Sequence, residues 1–306
     1  MSGSLTLALR TAQSGLLTNQ SALDAVAQNV ANVNSPNYSR KIVNMEQRVV
    51  GGVGAGVQLA AVTRAVDEGL LKSLRLELSG FNQHDAQTSY YGRMQDMFGA
   101  PGDNTSIAHI MTEFGKSMEA LTLAPDQSLE QGEFVRQAKE VANKLAQMSS
   151  GVQELRVQAD TEIAAAASNI NTLASEISDI NNKIIQNAST SADVTDLRDK
   201  RDAKLDELAG YVDISYFYRG DGDVVVFTRA GRTLVDNSSP AITHLAASTA
   251  ASTTTHAEGD FNGIYIGTVT AANDITNEAR DGKHKGLIDM RDGPLAGLQT
   301  QLAEHR

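Results

Sequence analysis

The sequence contains no cysteine and no tryptophan, and only 5% of its 306 residues are aromatic. The absence of cysteine excludes disulfides, thiolate metal sites and thiol nucleophiles, and it is compatible with either redox compartment. The scarcity of aromatic side chains argues against a large aromatic-lined ligand pocket. No run of about 18 apolar residues is present, so no transmembrane helix is predicted. The N-terminus also lacks the basic and then purely apolar pattern of a cleaved secretory signal.

Charge is unevenly distributed and predominantly acidic. The formal net charge is −11 and the pI is about 5.0, whereas residues 1–100 carry eight Lys and Arg residues against seven Asp and Glu residues. A basic stripe suited to nucleic acid is absent, and so is a polybasic segment for membrane attachment. The sequence therefore predicts neither a nucleic-acid partner nor insertion into a membrane.

The most regular pattern lies between Leu5 and Val33. Apolar or small residues recur there at alternating spacings of three and four, with Asn19 filling the one polar position: Leu9, Ala12, Leu16, Leu23, Val26, Val30 and Val33. A stripe this narrow is typical of a coiled-coil seam, and an isolated helix that carries it needs a partner because it is marginal in water. We call these seven residues the arm seam. We expect several of them, Leu16 and Leu23 among them, to be partly uncovered in this chain alone.

A turn motif ends the first helix. It comprises Asn32, Asn34, Pro36, Asn37, Tyr38 and Arg40. Pro36 stops the helix because it lacks an N–H group and biases the preceding residue away from helical conformations. Residues 42–64 are β-rich and interrupted by glycines, which we interpret as a β-hairpin or extended excursion with a flexible glycine turn. The glycine spacing does not fit a dinucleotide-binding loop.

A helical bundle is predicted for residues 67–211. Its first helix starts at Asp67. Its predicted apolar side is formed by Leu70, Leu71, Leu74, Leu78 and Phe81 and continues through Tyr90, Met94 and Met97. Two further helices are expected at about residues 106–121 and 129–149. A second seam of about three heptads then follows, which we call the bundle seam: Ile163, Ile170, Leu173, Ile177, Ile180 and Ile184. In the charge-laced helix from Asp193 to Leu208, cations match the acids and no histidine joins them, so a solvated face is favoured over a metal site.

A small β-rich subdomain is predicted for residues 212–281. One hairpin surrounds residues 220–223, whose two acids lack the glycine and glutamate that a calcium loop requires. An Ala/Ser/Thr-rich stretch at residues 245–255 is interpreted as an exposed loop or weakly ordered edge, and a strand is expected at residues 261–269. From residue 282 the chain returns to helix, and because Arg306 falls in mid-helix without a C-cap we expect this helix to be truncated.

These patterns predict a mainly α fold. It is expected to be a long coiled-coil-like helical bundle with an N-terminal helical arm and a small β-rich subdomain. The predicted parts are residues 1–66 for the arm and glycine-rich excursion, 67–211 for the bundle, 212–281 for the β-rich subdomain and 282–306 for the return helix. No catalytic residue, metal site or cofactor is predicted, because the six histidines have no ligand spacing and neither a nucleophile elbow nor a Walker loop is present.

Several of these motifs resemble those of the bacterial flagellar axial proteins, the family of rod, hook and hook-associated proteins. The N-terminal motif consists of residues 14–17, 22–23, 29–36 and 38–40, and the next block consists of residues 56–57 and 64–67. Tyr38-Ser39-Arg40, the long helical middle and residues 196–202 and 286–292 resemble, within that family, the hook-associated members of the hook–filament junction. The resemblance covers essentially the whole chain.

The chain departs from the family pattern in two places. Asn37 stands where the family usually has glycine, and asparagine can keep the turn because it tolerates a left-handed backbone. The family normally closes with a second amphipathic helix that pairs with the first, and this sequence lacks one. The arm seam is therefore expected to find its partner in another subunit or in a missing C-terminal segment.

The resemblance implies a structural protein of the flagellum rather than an enzyme. It implies export through the flagellum's own channel without a cleaved signal, an extracellular location, and self-assembly into a junction ring between hook and filament. The implied partners are the hook protein, a filament-side hook-associated protein, and the flagellar export apparatus with a chaperone. Two alternatives stay open: another axial protein such as the hook protein, which should turn to β structure soon after its N-terminal motif, and an extracellular adhesin or hydrolase domain within residues 212–269.

Overall fold

The computed structural model describes residues 2–100, 102, 104–190, 193–251, 254, 256, 257 and 259–304, with side chains from residue 5 onward. The fold is mainly α with a few small sheets, as the sequence predicted. The helices are α1 (Ser2–Ala31), α2 (Glu68–Phe98), α3 (Ile107–Leu123), α4 (Ser128–Ser189), α5 (Thr195–Tyr211), α6 (Lys283–Asp292) and α7 (Pro294–Glu304). The strands are β1 (Lys41–Val50), β2 (Val53–Arg64), β3 (Ile214–Tyr218), β4 (Val224–Thr228), β5 (Thr233–Val235), β6 (Ile242–Thr243) and β7 (Tyr265–Ile266). Arg306, where the sequence predicted a helix cut short, lies outside the described residues.

The bundle is built around α4, a single helix of 62 residues. At 1.5 Å per residue it is about 93 Å long. The sequence predicted separate helical segments here, but α4 continues without a break from residue 128 to residue 189. Near its start α4 packs against α3, where the rings of Phe114 and Phe134 stack with centroids 5.4 Å apart. Farther along it packs against α7, α6 and α5, so α4 supports most of the fold.

The bundle seam lies along the buried face of α4, with one shift in its register. Ile163, Ile170, Leu173, Ile177 and Ile184 are buried, but Ile180 is only half-buried. Asn181 takes the inward position, where its amide donates to Val224 O at 2.8 Å and accepts from Val224 N at 3.1 Å. The seam resumes at Ile184, so Asn181 replaces Ile180 at one turn only, where its amide pairs with the backbone of β4.

The predicted apolar side of α2 is right in the second half of the helix and wrong in the first. Tyr90 is buried, and Met94 and Met97 pack against the core. Leu70, Leu74 and Phe81 are exposed, whereas the face that packs against α5 and α6 buries Arg75, Ser79 and Ala86. Two features of α5 and α6 explain why this face of α2, rather than the leucine face, packs inward. Arg75 meets aspartates of α5, and Gly286 of α6 comes so close that an added Cβ would lie 2.5 Å from Gln83 O. A small, polar helix face suits such neighbours better than leucines do.

Two small sheets form the β-rich part. Strands β3, β4 and β5 form an antiparallel sheet in which Tyr216 pairs with Val226, and β6 pairs with β7 through Ile242 and Ile266. The strand predicted over residues 261–269 is reduced to β7, because Ile264 N donates to the side chain of Thr276 rather than to a neighbouring strand. Within the Ala/Ser/Thr-rich stretch, residues 252, 253 and 255 lie outside the described part of the chain.

Candidate assembly site on the N-terminal arm

Helix α1 uses two faces for different purposes. Its small and polar face, which includes Thr18, Ala25 and Asn29, packs against the β1–β2 hairpin. The arm seam lies on another side of the helix, with its last member, Val33, just beyond the helix end. It stays uncovered, with Ala12 exposed and the six larger side chains each between 56% and 74% exposed. Exposure of Leu16 and Leu23 was expected from the sequence. Because a continuous apolar stripe on a monomer marks an interaction surface, the arm seam is the candidate assembly site.

The β-hairpin predicted for residues 42–64 is present, and its glycines do more than form a flexible turn. Strands β1 and β2 pair antiparallel from Lys41 opposite Arg64 to the turn at Gly51 and Gly52. Gly56, farther along, has φ of 108°, and a Cβ there would lie 2.1 Å from Ser14 Oγ on α1. That hydroxyl also accepts a hydrogen bond of 3.2 Å from Val57 N. A glycine is therefore required for the hairpin to lie directly on α1.

The turn motif folds back on the end of α1. Asn37 has φ of 61°, so asparagine does occupy the left-handed conformation that the family's glycine suggests. Ser35 caps the turn, since its N–H donates to Asn32 O at 2.9 Å and its hydroxyl to Asn32 Oδ1 at 3.1 Å. Asn34 and Pro36 are exposed. Arg40 is exposed as well, and its guanidinium has no polar partner within the described part of the chain.

Asn29 connects the end of α1 to the start of the hairpin. Its amide nitrogen donates to Lys41 O at 3.0 Å, and its oxygen accepts from Lys41 N at 2.9 Å. The same oxygen accepts from the hydroxyl of Tyr38 at 2.9 Å. Sequence reasoning did not single out Asn29 as a site residue, although it lies inside the motif that carries the family resemblance. Its three bonds fix the direction in which the chain leaves α1.

A row of aspartates on and just before α5 ties this arm to the bundle: Asp193, Asp196, Asp199, Asp202 and Asp206. Lys41 Nζ lies 2.8 Å from Asp196, and Arg64 Nη1 lies 2.8 Å from Asp199 and 2.6 Å from Asp202. We call the contacts of Lys41 and Arg64 with these aspartates the arm joint. The backbone N–H of Ser39 also donates to Asp199, at 3.0 Å.

The predicted solvated face of α5 is therefore only partly right. Asp193, Asp196 and Lys200 are exposed. Asp199 and Asp202 are buried because they meet cations from β2 and α2 rather than water, and Arg201 is buried as well. Arg201 turns the other way and donates to Gly222 O at 2.7 Å, in the turn between β3 and β4. The alternating charges of α5 are thus partners for three other elements. None of these residues was predicted as a site, because the partners are far away along the chain.

The opposite charges of the arm joint stabilise one another, so that the loss of one partner destabilises the others. Burial alone would lower the pKa of Arg64, but the charge of Asp202 and the hydrogen bonds to both aspartates outweigh it, so its pKa is raised. The pKa of Lys41 is raised in the same way, since its bond to Asp196 outweighs its burial. Removing one member of such a buried set leaves an uncompensated charge, which costs far more than a surface ion pair contributes.

Neither a metal site nor a membrane-crossing segment is found in the described residues. No group of three or more His, Asp or Glu side chains among them is placed to hold a metal ion. Within residues 2–304, excluding the undescribed positions, no helix has the length and apolar character needed to cross a bilayer. An open cleft of about 410 Å³ lies between the turn motif and α5, lined by Pro36, Tyr38 and Lys200 among others.

Comparisons with known proteins agree with this architecture. The family model "Flagellar hook-associated protein FlgK helical domain" matches residues 91–305, and the model "Flagella basal body rod protein" matches residues 9–38, which span most of α1 and the turn motif. The first match covers more than half of the chain. The second match includes the whole arm seam and the turn motif up to Tyr38, so this segment resembles rod proteins.

Individual proteins similar to this chain are also flagellar hook-associated or hook junction proteins. The chain is 24% identical over 242 residues to flagellar hook-associated protein 1 of Bacillus subtilis, covering 75% of this chain and 48% of that protein. It is 25% identical over 235 residues to flagellar hook-associated protein 1 of Salmonella typhimurium, covering 74% and 42%. The solved flagellar hook junction protein FlgK from Burkholderia pseudomallei matches with a TM-score of 0.58 and 19% identity, over 77% of this chain and 41% of that one. This last likeness shows the fold, and the chain spans less than half the length of the relatives it matches.

Proposed function

The chain belongs to the flagellar hook-associated protein FlgK family, and from this premise we propose that it is a structural subunit of the hook–filament junction of the bacterial flagellum. The observation that carries the proposal is the uncovered arm seam on a 30-residue helix. Its large apolar side chains are not covered by the hairpin. The arm joint holds that helix in place, so the seam is presented to a partner rather than folded into the bundle.

The partner that fits the arm seam is another amphipathic helix. A seam with spacings of three and four buries its side chains between those of a second helix. In a ring of identical subunits, the neighbouring subunit can supply that helix, provided that each subunit contacts the next through a different surface and the ring closes. The proposed partners are other copies of the chain, the hook protein on one side and a filament-side hook-associated protein on the other. Family membership and the rod-like segment at residues 9–38 support this set of axial partners.

Location and export follow from the same proposal. The protein would lie outside the cell as part of the flagellum, after export through the flagellar channel without a cleaved signal and with the help of the export apparatus and a chaperone. Its lack of cysteine suits a chain that crosses from a reducing to an oxidising compartment. No catalytic activity is proposed, because the family's members are structural.

The alternatives weighed on the sequence fit the structure less well. A hook protein was expected to turn to β structure soon after its N-terminal motif, but residues 68–211 are mostly helical, with only the β1–β2 hairpin between them and α1. An independent adhesin or hydrolase domain within residues 212–269 is disfavoured because that segment packs on α4, with Asn181 holding β4 and Asn171 holding β6.

The proposal is tested by two neighbouring leucines of α1. Leu16 belongs to the arm seam and is 70% exposed, whereas Leu17 is 57% exposed on the flank of the helix. We expect Leu16→Asp to abolish incorporation at the hook tip and hence swimming motility, because a charge in the seam prevents helix pairing. Leu17→Asp, the matched control, should assemble and swim normally. Incorporation is measured in purified hook–basal bodies from the source bacterium, after the altered gene replaces the natural copy. Equal incorporation of both variants would contradict the proposal.

A further inference from the structure

We propose that copies of this chain contact one another head to tail, with the end of the α3–α4 hairpin of one copy docked in a groove between α4 and α5 of the next. Exposed apolar side chains at both places, surrounded by charges of opposite sign, carry the inference. The contact uses neither the arm seam nor the arm joint. It therefore goes beyond the junction role proposed above, and the two proposals can fail separately.

The turn between α3 and α4 presents the two most exposed large apolar side chains in the described part of the chain. Leu123, the last residue of α3, is 81% exposed, and Leu129, near the start of α4, is 78% exposed. The side chain of Gln131 donates to Pro125 O at 2.8 Å and ties the turn to α4. The two leucines are therefore presented on an ordered end of the helical hairpin.

The same end of the hairpin is purely acidic. Residues 117–135 contain four Asp and Glu residues and no Lys or Arg. One of the acids, Glu133, pairs with Arg136. The other three have no cationic partner in the described part of the chain: Glu119, Asp126 and Glu130. We call these three carboxylates, together with Leu123 and Leu129, the acidic tip.

An open groove of about 300 Å³ lies between α4 and α5. Its lining includes Ile180 and Ala203, both half-buried. Ile180 was predicted to point into the core, but Asn181 takes the inward position, and the isoleucine lines the groove instead. An apolar cavity of about 150 Å³ can hold a benzene molecule, so this groove has room for a leucine side chain.

Lysines surround the apolar residues of the groove. Lys183 and Lys200 are exposed, and neither has an acidic partner in the described part of the chain. Lys204 pairs with Glu176 at 3.1 Å, and Asp179 is the other acid of the lining. The lining is thus net positive on a chain whose net charge is −11. We call its apolar residues and its lysines the lysine groove: Ile180, Lys183, Lys200, Ala203 and Lys204.

The acidic tip and the lysine groove complement each other. Each combines apolar side chains with unpaired charges, and those charges are negative on the tip and mainly positive around the groove. Opposite charges steer two surfaces together and fix their register, while burial of the apolar side chains contributes affinity. The occupant that fits the groove is therefore a leucine flanked by carboxylates, and a second copy of the chain supplies it.

The contact has to join two molecules. Leu129 and Ile180 lie on the same helix, about 50 residues and hence about 75 Å apart. A chain therefore cannot place its own tip in its own groove. Because tip and groove are different surfaces, copies joined through them form a ring if the rotation closes and an open helical row if it does not.

The contact is tested by a disulfide between two introduced thiols, since the chain has no cysteine of its own. Full chains of Leu129→Cys and Ala203→Cys, one of them isotope-labelled, are mixed and mildly oxidised. Such a bond requires the two Cα atoms to come within about 7 Å. We expect mixed dimers to form at least about tenfold faster than with Leu245→Cys in place of Leu129→Cys, because docking raises the effective concentration of the thiols. Leu245 is a matched control, 72% exposed in the loop after β6. Equal rates would overturn the proposal.

Charge substitutions test the same docking independently. Lys200→Glu in the chain that carries the groove thiol should slow the mixed dimer at least about tenfold, because like charges then meet. Glu130→Lys in the chain that carries the tip thiol should restore it. Lys139→Glu, an exposed lysine of α4 outside the groove, should have no effect. Each rate is divided by the rate of the same thiol with a small disulfide, which corrects for the effect of a neighbouring charge on thiol reactivity.

An unchanged rate in Lys200→Glu would overturn docking through these charges. Leu16→Asp in both chains should leave the mixed dimer unchanged, because the arm seam takes no part in it. Loss of the head-to-tail contact and loss of the arm-seam contact are thus separate results.

Discussion

Asp213 shows how much a single buried group can contribute to pH dependence. It lies between α5 and β3, is 2% exposed, and neither of its carboxylate oxygens has a hydrogen-bond partner among the described residues. Burial raises its pKa from 3.8 to about 6. The folded state thus keeps the proton longer than the unfolded state does. Its stabilising effect is complete at low pH and is lost as the pH rises through this interval.

Replacement of Asp213 by asparagine should remove this dependence. In the unaltered chain, the free energy of unfolding is expected to fall by about 2 kcal/mol between about pH 4 and about pH 6 because of this one group. Asp213→Asn should be more stable than the unaltered chain above about pH 6, and its pH profile should be flatter. Urea denaturation across this range measures both. Asp126→Asn, on the exposed turn between α3 and α4, is the control and should leave the profile unchanged. An unchanged slope in Asp213→Asn would show that other groups set the profile.

At the scale of elements, the arm joint decides whether α1 and the hairpin stay on the bundle. Arg64 is 6% exposed at its side chain and holds two aspartates of α5. In Arg64→Gln those two buried carboxylates repel each other, and breaking such a set costs about 3–5 kcal/mol. We expect residues 29–65 to exchange amide hydrogen much faster while α4 keeps its protection, as measured by hydrogen–deuterium exchange.

The hairpin offers its own control for this experiment. Arg48 is an exposed arginine of β1 without a polar partner in the described part of the chain, so Arg48→Gln removes the same charge without touching the arm joint. Its exchange pattern should match that of the unaltered chain. If both variants behaved alike, the arm would be held by its apolar contacts and not by the ion pairs.

The elements that the sequence predicted well are those with a local periodic signal. The arm seam and most of the bundle seam follow a repeat of three and four within a single helix, and β3 and β4 alternate around a glycine turn. Ile180 was misplaced because Asn181 takes the inward position there to pair with the backbone of β4, a partner 43 residues away along the chain. Seven-residue patterns therefore locate a helix face, but they do not reveal a polar residue that a distant strand draws inward.

The arm joint could not be found in this way. Arg64 and Asp199 are 135 residues apart, and nothing local distinguishes an acid that meets water from one that meets a distant arginine. Leu70 and Phe81 on α2 were placed inside for the converse reason, since apolar side chains predict burial only when a neighbour covers them. The charged block at residues 196–202 was noticed as a family feature, and its folding role needed the tertiary structure.

At the scale of the whole molecule, the arm, α5 and α4 form one connected path. The hairpin is tied to α5 by Arg64, α5 is tied to α4 by the bond of Arg201 to Asn181, and α4 carries the β-rich part. A partner that binds the arm seam would therefore be connected to the body of the subunit through buried polar contacts. Such a connection suits the proposed junction role, because a load on the arm would reach the body of the subunit.

The absence of cysteine makes the central claim directly measurable, because a single introduced thiol can be labelled without interference. Leu16→Cys and Leu17→Cys place that thiol in the arm seam or on the flank of the same helix. In the free chain, both thiols should react with a maleimide at similar rates. In isolated hook–basal bodies, the account predicts that labelling at position 16 slows at least about tenfold, while position 17 stays reactive. Equal labelling of both positions in the assembled flagellum would contradict the claim that the arm seam is the assembly surface.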